Sequence, residues 1–389
     1  MSTHAIPAAP TVRSARAVQR IEAVSLRGPL PPASATMVSL AQGEPDFTSP
    51  AAVNAALVEA VEGGWSHYAP GAGDNRLRDR IAVEVSQLSG REVSREEVLV
   101  THGGTGGLAT AILGLVDPGD RVVVPDPTYS LYADLIAMAG GVCVRVPLAD
   151  DLHWDFGALA DALVGAKMFV FCNPGNPTGI VHSGEELRRL AQLLEGTDTL
   201  VLADEAYGEL VFGGREFTSA VQVPELFDRT LYCQTFSKKY AMTGWRLGYL
   251  TGPAAAVAAA SRVHATINGS INTAVQRAAV AALDETADDV AAMVASYAAR
   301  RDLVMRELAD VPQLQTPTPE GAFYVFPKYT MDMPSVEVVA HLRAHGVSTR
   351  PGSEYGPAGE GRIRLSYAAS AEDIVEGVRR MRVALAELG

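Results

Sequence analysis

Apolar runs of strand length alternate with longer stretches of helical period through most of this chain. Residues 98–101, 121–124, 143–146, 168–171, 200–203 and 230–232 are dominated by Val, Leu, Phe and other apolar types, with little polar alternation. Strands buried on both faces have this pattern, and the helix-length stretches between them supply the crossovers that parallel neighbours need. The pattern predicts an α/β protein built on a mostly parallel sheet covered by helices. Between the first two runs, 106–116 reads as a helix halted by the turn cluster Asp117, Pro118, Gly119 and Asp120, which closes a βαβ unit.

The two ends of the chain differ from this middle. A long amphipathic stretch over 284–308, strand signals at 322–327 and 362–367 and a last helix from Ala371 predict a smaller α+β unit. Residues 1–36 are rich in Pro, Ala and Ser, including the run from Gly28 to Pro32, and predict a loosely held arm with one short helix over 18–26. No internal repeat and no Gly/Ser tether separates the units after Ser39, so they are expected to pack closely.

With 389 residues the chain has room for two or three domains and a large core. Hydrophobic residues at 48% and charged residues at 20% fit a folded globular protein. The net charge of −13 argues against nucleic acid as a partner, because such binding draws on surplus Lys and Arg. Cys143, Cys172 and Cys233 lie far apart in apolar runs, which predicts reduced core thiols rather than disulfides or a metal site. The most apolar stretch, 254–260, is far shorter than a membrane span, and the N-terminus lacks the apolar core of a signal peptide. A cytoplasmic protein is expected.

Four stretches could carry chemistry. Gly104, Gly106 and Gly107 follow a strand and open a helix, with Asp126 about 20 residues on, which formally meets a dinucleotide fingerprint. Another phosphate ligand, or a plain Gly-rich turn, explains the same residues. The run from Asn173 to Gly179 leaves an apolar strand with two X-Pro bonds and holds Asn176 in a stiff loop, or is simply a tight turn. Asp204 ends a buried strand, where a carboxylate needs a cationic or proton-donating partner; a helix-capping or metal-binding acid is the plainer alternative. Thr235, Ser237, Lys238, Lys239 and Arg246 combine hydroxyls, amines and a guanidinium that could bind a phosphate and present an amine to a carbonyl. A solvated lysine pair would not usually be framed by Phe236, Met242 and the triplet Gly244, Trp245, Arg246.

From about Leu40 onward the chain resembles the class I/II aminotransferases, the pyridoxal-phosphate enzymes of the aspartate aminotransferase fold type I. The resemblance rests on the segments starting at Gly43, Tyr68, Gly73, Gly103, Asn176, Asp204, Ser237, Gly244, Gly321 and Arg364, in order, over nearly nine-tenths of the chain. It implies a large domain with a seven-stranded, mostly parallel sheet over 55–290, a small domain from 37–54 and 291–389, and the arm at 1–36. It also implies pyridoxal 5′-phosphate as cofactor, with Lys238 as Schiff-base lysine and catalytic base and Asp204 as partner of the pyridine nitrogen. Asn176 and Tyr207 would meet the phenolate oxygen, and Tyr129 would stack on the ring. Gly104, Thr105, Thr235, Ser237 and Arg246 would hold the phosphate, together with Tyr68 of a second subunit in a homodimer. Gly43, Asn176 and Arg364 would bind substrate, Arg364 taking the α-carboxylate.

The resemblance implies transfer of an amino group between an α-amino acid and a 2-oxo acid. A same-fold enzyme acting at Cβ or Cγ by elimination, replacement, cyclisation or oxidation shares every cofactor residue and is the alternative. A transcription regulator with such a domain would need a DNA-binding module of about 60 residues, for which the segment before Leu40 is too short. A nicotinamide dehydrogenase would leave Lys238, Asp204 and Arg364 unexplained. The segment 265–273 carries no Arg or Lys for a second carboxylate, and Trp65 and Ile267 lean toward neutral side chains, although Arg27 in the arm could close over the site.

Overall fold

The computed structural model describes residues 13–26 and 36–389. The Gly28–Pro32 run, Arg27 and most of the expected arm lie outside the described residues. The described part of the arm is a helix, Arg16–Val24. It is docked rather than loose: Arg20 donates from Nε to the carbonyl of Ala137 at 2.7 Å and from Nη2 to that of Met138 at 2.9 Å, where a helix end has carbonyls to spare.

Seven strands form the central sheet: β1 (Val98–Thr101), β2 (Arg121–Asp126), β3 (Val142–Pro147), β4 (Met168–Cys172), β5 (Leu200–Asp204), β6 (Thr230–Thr235) and β7 (Gly248–Thr251). Their spatial order is β1-β7-β6-β5-β4-β2-β3, and all run parallel except β7, which is antiparallel to both neighbours. The apolar pattern places the first six strands. It does not show β7, a four-residue strand that opens on Gly248 just after Arg246 and Leu247. Val122, Val123, Phe169, Val170, Val201 and Leu202 are fully buried, as strands covered on both faces require.

Two helix expectations shift. The helix after β1 begins at Gly103 rather than 106, so the glycines make its first turn instead of preceding it (Gly103–Leu115). The long amphipathic stretch expected over 284–308 is the single helix Ala287–Ala309, so its start moves three residues on, to just after Thr286, where a separate helix, Thr273–Glu285, has ended.

Smaller sheets stand beyond the large one. Val38–Ser39 pairs in parallel with Val347–Ser348. Ile363–Ser366 is flanked antiparallel by Tyr324–Val325 and Arg350–Pro351. Helix Ala371–Ala386 covers them, starting from the Ser370 side chain, which accepts from the amide of Asp373. One apolar core runs from the helix-covered face of the large sheet through Tyr297, Phe323 and Tyr324 to Ile374 and Met381, so the two parts share packing.

Candidate active site

Strand ends gather chemistry at one edge of the large sheet. In a parallel sheet all carboxyl ends lie together, and there β2 leads to Tyr129, β4 to Asn176, β5 to Asp204 and Tyr207, and β6 to Thr235 and Lys238. Because β7 runs the other way, its first residue reaches the same edge: Gly248 pairs with both Thr101 and Thr235. Arg246, two residues earlier, arrives beside the first turn of helix Gly103–Leu115. Gly248 cannot be replaced here, since a Cβ would stand 2.6 Å from the carbonyl carbon of Gly103 and 2.8 Å from the amide of Gly104.

These groups line a cavity of about 400 Å³. Gly104, Thr105, Thr235, Ser237 and Arg246 form one end, and Gly43, Asn176 and Arg364 the other, with Tyr129, Asp204, Tyr207 and Lys238 between them. Of the residues assigned to cofactor or substrate from the sequence, Tyr68 stands apart from this cavity; it is 96% exposed. Trp65 and Ile267 are also outside the cavity wall, and the Arg277 guanidinium stacks 3.6 Å over the Trp65 ring.

Asp204 finds proton donors rather than a cation. The Tyr132 hydroxyl donates to Oδ2 at 2.7 Å and the Ala206 amide to Oδ1 at 3.3 Å. Burial pushes its pKa up to about 6, with the two donors and the charge of Lys238 pulling the other way. Tyr132 went unnoticed in the sequence, yet it lies three residues beyond Tyr129 and its ring meets that of Tyr129 edge-on at 5.6 Å.

The two lysines separate clearly. Lys238 is half-buried, and its Nζ donates to the Gly43 carbonyl at 2.6 Å. Burial lowers its pKa to about 8, Glu44 opposes that, and Arg364 and Arg246 add to it. Lys239 points away to Glu209 at 2.7 Å and Glu84 at 3.1 Å. Burial works against its charge, but Tyr240 and these carboxylates hold its pKa above the usual range.

Arg364 is buried and donates from Nη1 to Asn176 Oδ1 at 3.0 Å and from Nη2 to the Ala41 carbonyl at 2.6 Å. Its Nε has no partner. Tyr324 and Tyr355 flank its face at 4.3 and 5.0 Å. The Tyr207 hydroxyl pairs with that of Tyr324 at 2.8 Å, and Tyr324 in turn demands Gly43, where a Cβ would fall 2.0 Å from its oxygen. Thr235 accepts from the Ser237 amide at 3.1 Å and donates to the Ser237 hydroxyl at 2.9 Å, starting the short helix Phe236–Lys239. Two His/Glu groups, His153–His182–Glu186 and His341–His345–Glu387, lie away from this cavity; Glu186 also caps its own helix through Ser183.

Comparison with known proteins bears directly on this arrangement. The family described as aminotransferase class I and II matches residues 35–381. The chain belongs to that family. It is 35% identical to an aspartate aminotransferase of Streptomyces avermitilis, over 90% of each protein. It is 34% identical to an arginine–pyruvate transaminase of Pseudomonas aeruginosa, again over 90% of each. Among solved structures, the aromatic aminotransferase from Pyrococcus horikoshii superposes with a TM-score of 0.89 at 30% identity, covering 95% of this chain and 99% of that one. The protein is an aminotransferase of the aspartate aminotransferase fold, and the Gly-rich helix start belongs to that family's architecture rather than to a dehydrogenase.

Proposed function

We propose that this aminotransferase uses pyridoxal 5′-phosphate, held through Lys238, to move an amino group between an α-amino acid and a 2-oxo acid. The observation that carries the proposal is one cavity lined together by a half-buried amine, Lys238, a buried carboxylate with only neutral hydrogen-bond donors, Asp204, an Arg246-flanked helix start and Arg364. The residues fit the cofactor. Asp204 has room in its surroundings for a cationic N–H, the first turn of helix Gly103–Leu115 and Arg246 offer donors to a phosphate, and the free Nε of Arg364 awaits a carboxylate.

Bound in this cavity, pyridoxal phosphate supplies an electron-accepting ring that stabilises negative charge at the substrate Cα. The protein's part is to hold and move protons around it. Asp204 keeps a proton on the ring nitrogen, and Tyr132 keeps Asp204 ionised. Lys238, whose pKa is lowered toward neutrality by burial, would take the Cα proton at its Nζ and return it. Gly104 and Thr105 amides, the Thr235 and Ser237 hydroxyls and Arg246 bind the phosphate. Asn176 and Tyr207 would bind the ring oxygen, Tyr129 would pack on the ring, and Arg364 would receive the α-carboxylate while Gly43 borders the substrate.

The exposed Tyr68 is assigned to the phosphate of a second copy, which makes the working form a homodimer. The division into units at 55–290 and at 37–54 with 291–389 belongs to the same proposal; helices Ala51–Glu62 and Ala287–Ala309 run continuously across its boundaries. No helix among the described residues is long and apolar enough to cross a membrane, and the three cysteines are free, which supports a cytoplasmic setting. The test is spectroscopic: protein loaded with pyridoxal phosphate should show a visible absorption band that an amino acid alone bleaches. Lys238→Ala should lack the band and Lys239→Ala keep it; the reverse would refute the assignment.

A further inference from the structure

Two arginines share one face of the small sheet beside the cavity. Arg350 and Arg364 are direct partners in the antiparallel pairing of Arg350–Pro351 with Ile363–Ser366, and directly opposed residues point to the same side. Both line the cavity. Like charges in that relation repel unless a nearby anion offsets them, and Glu354, ion-paired with Arg350, is such an anion. Its Oε2 lies 3.3 Å from Arg350 Nε and its Oε1 3.3 Å from Arg350 Nη1, a two-contact ion pair four residues apart. The side chains are only 19% and 12% exposed, so water screens the pair weakly. Burial opposes the charge of Arg364, but Tyr355, Tyr324, Tyr207 and Glu354 hold its pKa above the ordinary value, so the carboxylate of Glu354 acts on both guanidiniums.

We propose that Glu354 is a specificity-determining residue which, by occupying Arg350 on the cavity wall, directs the site toward α-amino acids with uncharged side chains. The inference rests on the reading of Arg364 as the α-carboxylate anchor. With that anchor filled, Arg350 is the adjacent cation on the same face and the natural mate for a second carboxylate. A dicarboxylic substrate must either displace Glu354 from Arg350 or set its own carboxylate beside that of Glu354 in a poorly screened place. A basic side chain meets the converse obstacle, since Glu354 is already neutralised. An uncharged side chain leaves the pair intact.

The experiment uses the cofactor-loaded enzyme with aspartate, glutamate, alanine, leucine and lysine as donors to a single 2-oxo acid. In Glu354→Gln the ratio of kcat/KM for aspartate or glutamate to that for alanine should rise roughly tenfold or more, mainly through KM. Adding Arg350→Gln to that variant should abolish the gain. Arg350→Gln alone releases Glu354 and should shift preference toward lysine, which keeps the idea testable if Glu354→Gln folds poorly. An unchanged or lower dicarboxylate ratio in Glu354→Gln, or a gain that survives in the double variant, overturns the proposal. A wild-type enzyme that turns over amino acids well while the variants show no shift refutes the specificity role alone. A wild type that turns over none refutes the underlying reading of the site.

Discussion

Replacing Tyr132 with Phe removes a single oxygen from the supporting layer of the site. The side chain is fully buried and its ring packs on Tyr129, so the change keeps shape and leaves no cavity. What is lost is the 2.7 Å donation to Asp204 Oδ2. A hydrogen bond to a charged acceptor contributes about 1.5–3 kcal/mol, which at about 1.4 kcal/mol per unit moves the Asp204 pKa up by about one to two units. The sign follows from the donor favouring the ionised carboxylate: without it, Asp204 is protonated at higher pH. The account requires ionised Asp204, so the acidic limb of kcat/KM against pH should move to higher pH by that amount in Tyr132→Phe. Well above both limbs the rates should converge. The assay is a pH profile of wild type and variant at saturating cofactor, with melting curves to confirm that both stay folded. An acidic limb that does not move, or that moves to lower pH, would refute the coupling.

Arg364→Lys should raise KM for every amino acid at least tenfold while cofactor binding persists, because an ammonium cannot make the planar two-bond fork; an unchanged KM would remove Arg364 from substrate binding. Glu205 is buried beside the site, and burial pushes its pKa up to about 8 against donation from Ser219 and the Ala220 amide. The folded state therefore binds more protons than the unfolded one between about pH 4.3 and 8, and stability contributed by this group falls as pH rises through that window. The Tm advantage of Glu205→Gln over wild type should grow from pH 5 to pH 8, and a constant difference would contradict the shift. Mixing inactive Lys238→Ala chains with Tyr68→Phe chains should restore sites that pair an intact Lys238 with an intact Tyr68 from the other chain. Activity no higher than that of the Tyr68→Phe chains alone would argue against sharing.

Much of the fold is visible in the chain because strands buried on both faces are short, apolar and flanked by turn residues. The strand β7 escaped that logic: Gly248, Tyr249, Leu250 and Thr251 are a short run that opens on a glycine, and pairing with β1 and β6 defines them. The boundary at Thr286 was hidden for a related reason, since neither Gly nor Pro marks it and the helices Thr273–Glu285 and Ala287–Ala309 follow one another directly. In the site, residues on strand ends could be named early because buried polar groups there demand partners. Their partners could not. Tyr132 reaches Asp204 across 72 positions of sequence, and Arg350 meets Arg364 only through strand register. Gly321 and Tyr324 stood among the segments that carried the family resemblance, but the contact of Tyr324 with Tyr207 and Gly43 depends on the smaller sheet packing against the larger one.

The central claim is that Lys238, and not its neighbour, carries the cofactor, and trapping the linkage tests it most directly. Protein loaded with pyridoxal phosphate is treated with borohydride, digested, and the pyridoxyl adduct located by mass spectrometry. Lys238 offers a half-buried amine with a pKa lowered to about 8 in the cavity that Asp204 and Arg364 also line, whereas Lys239 is bound to Glu84 and Glu209 outside it. The adduct should fall on Lys238 at close to one per chain. An adduct on Lys239, or label scattered over surface lysines with none on Lys238, would contradict the account.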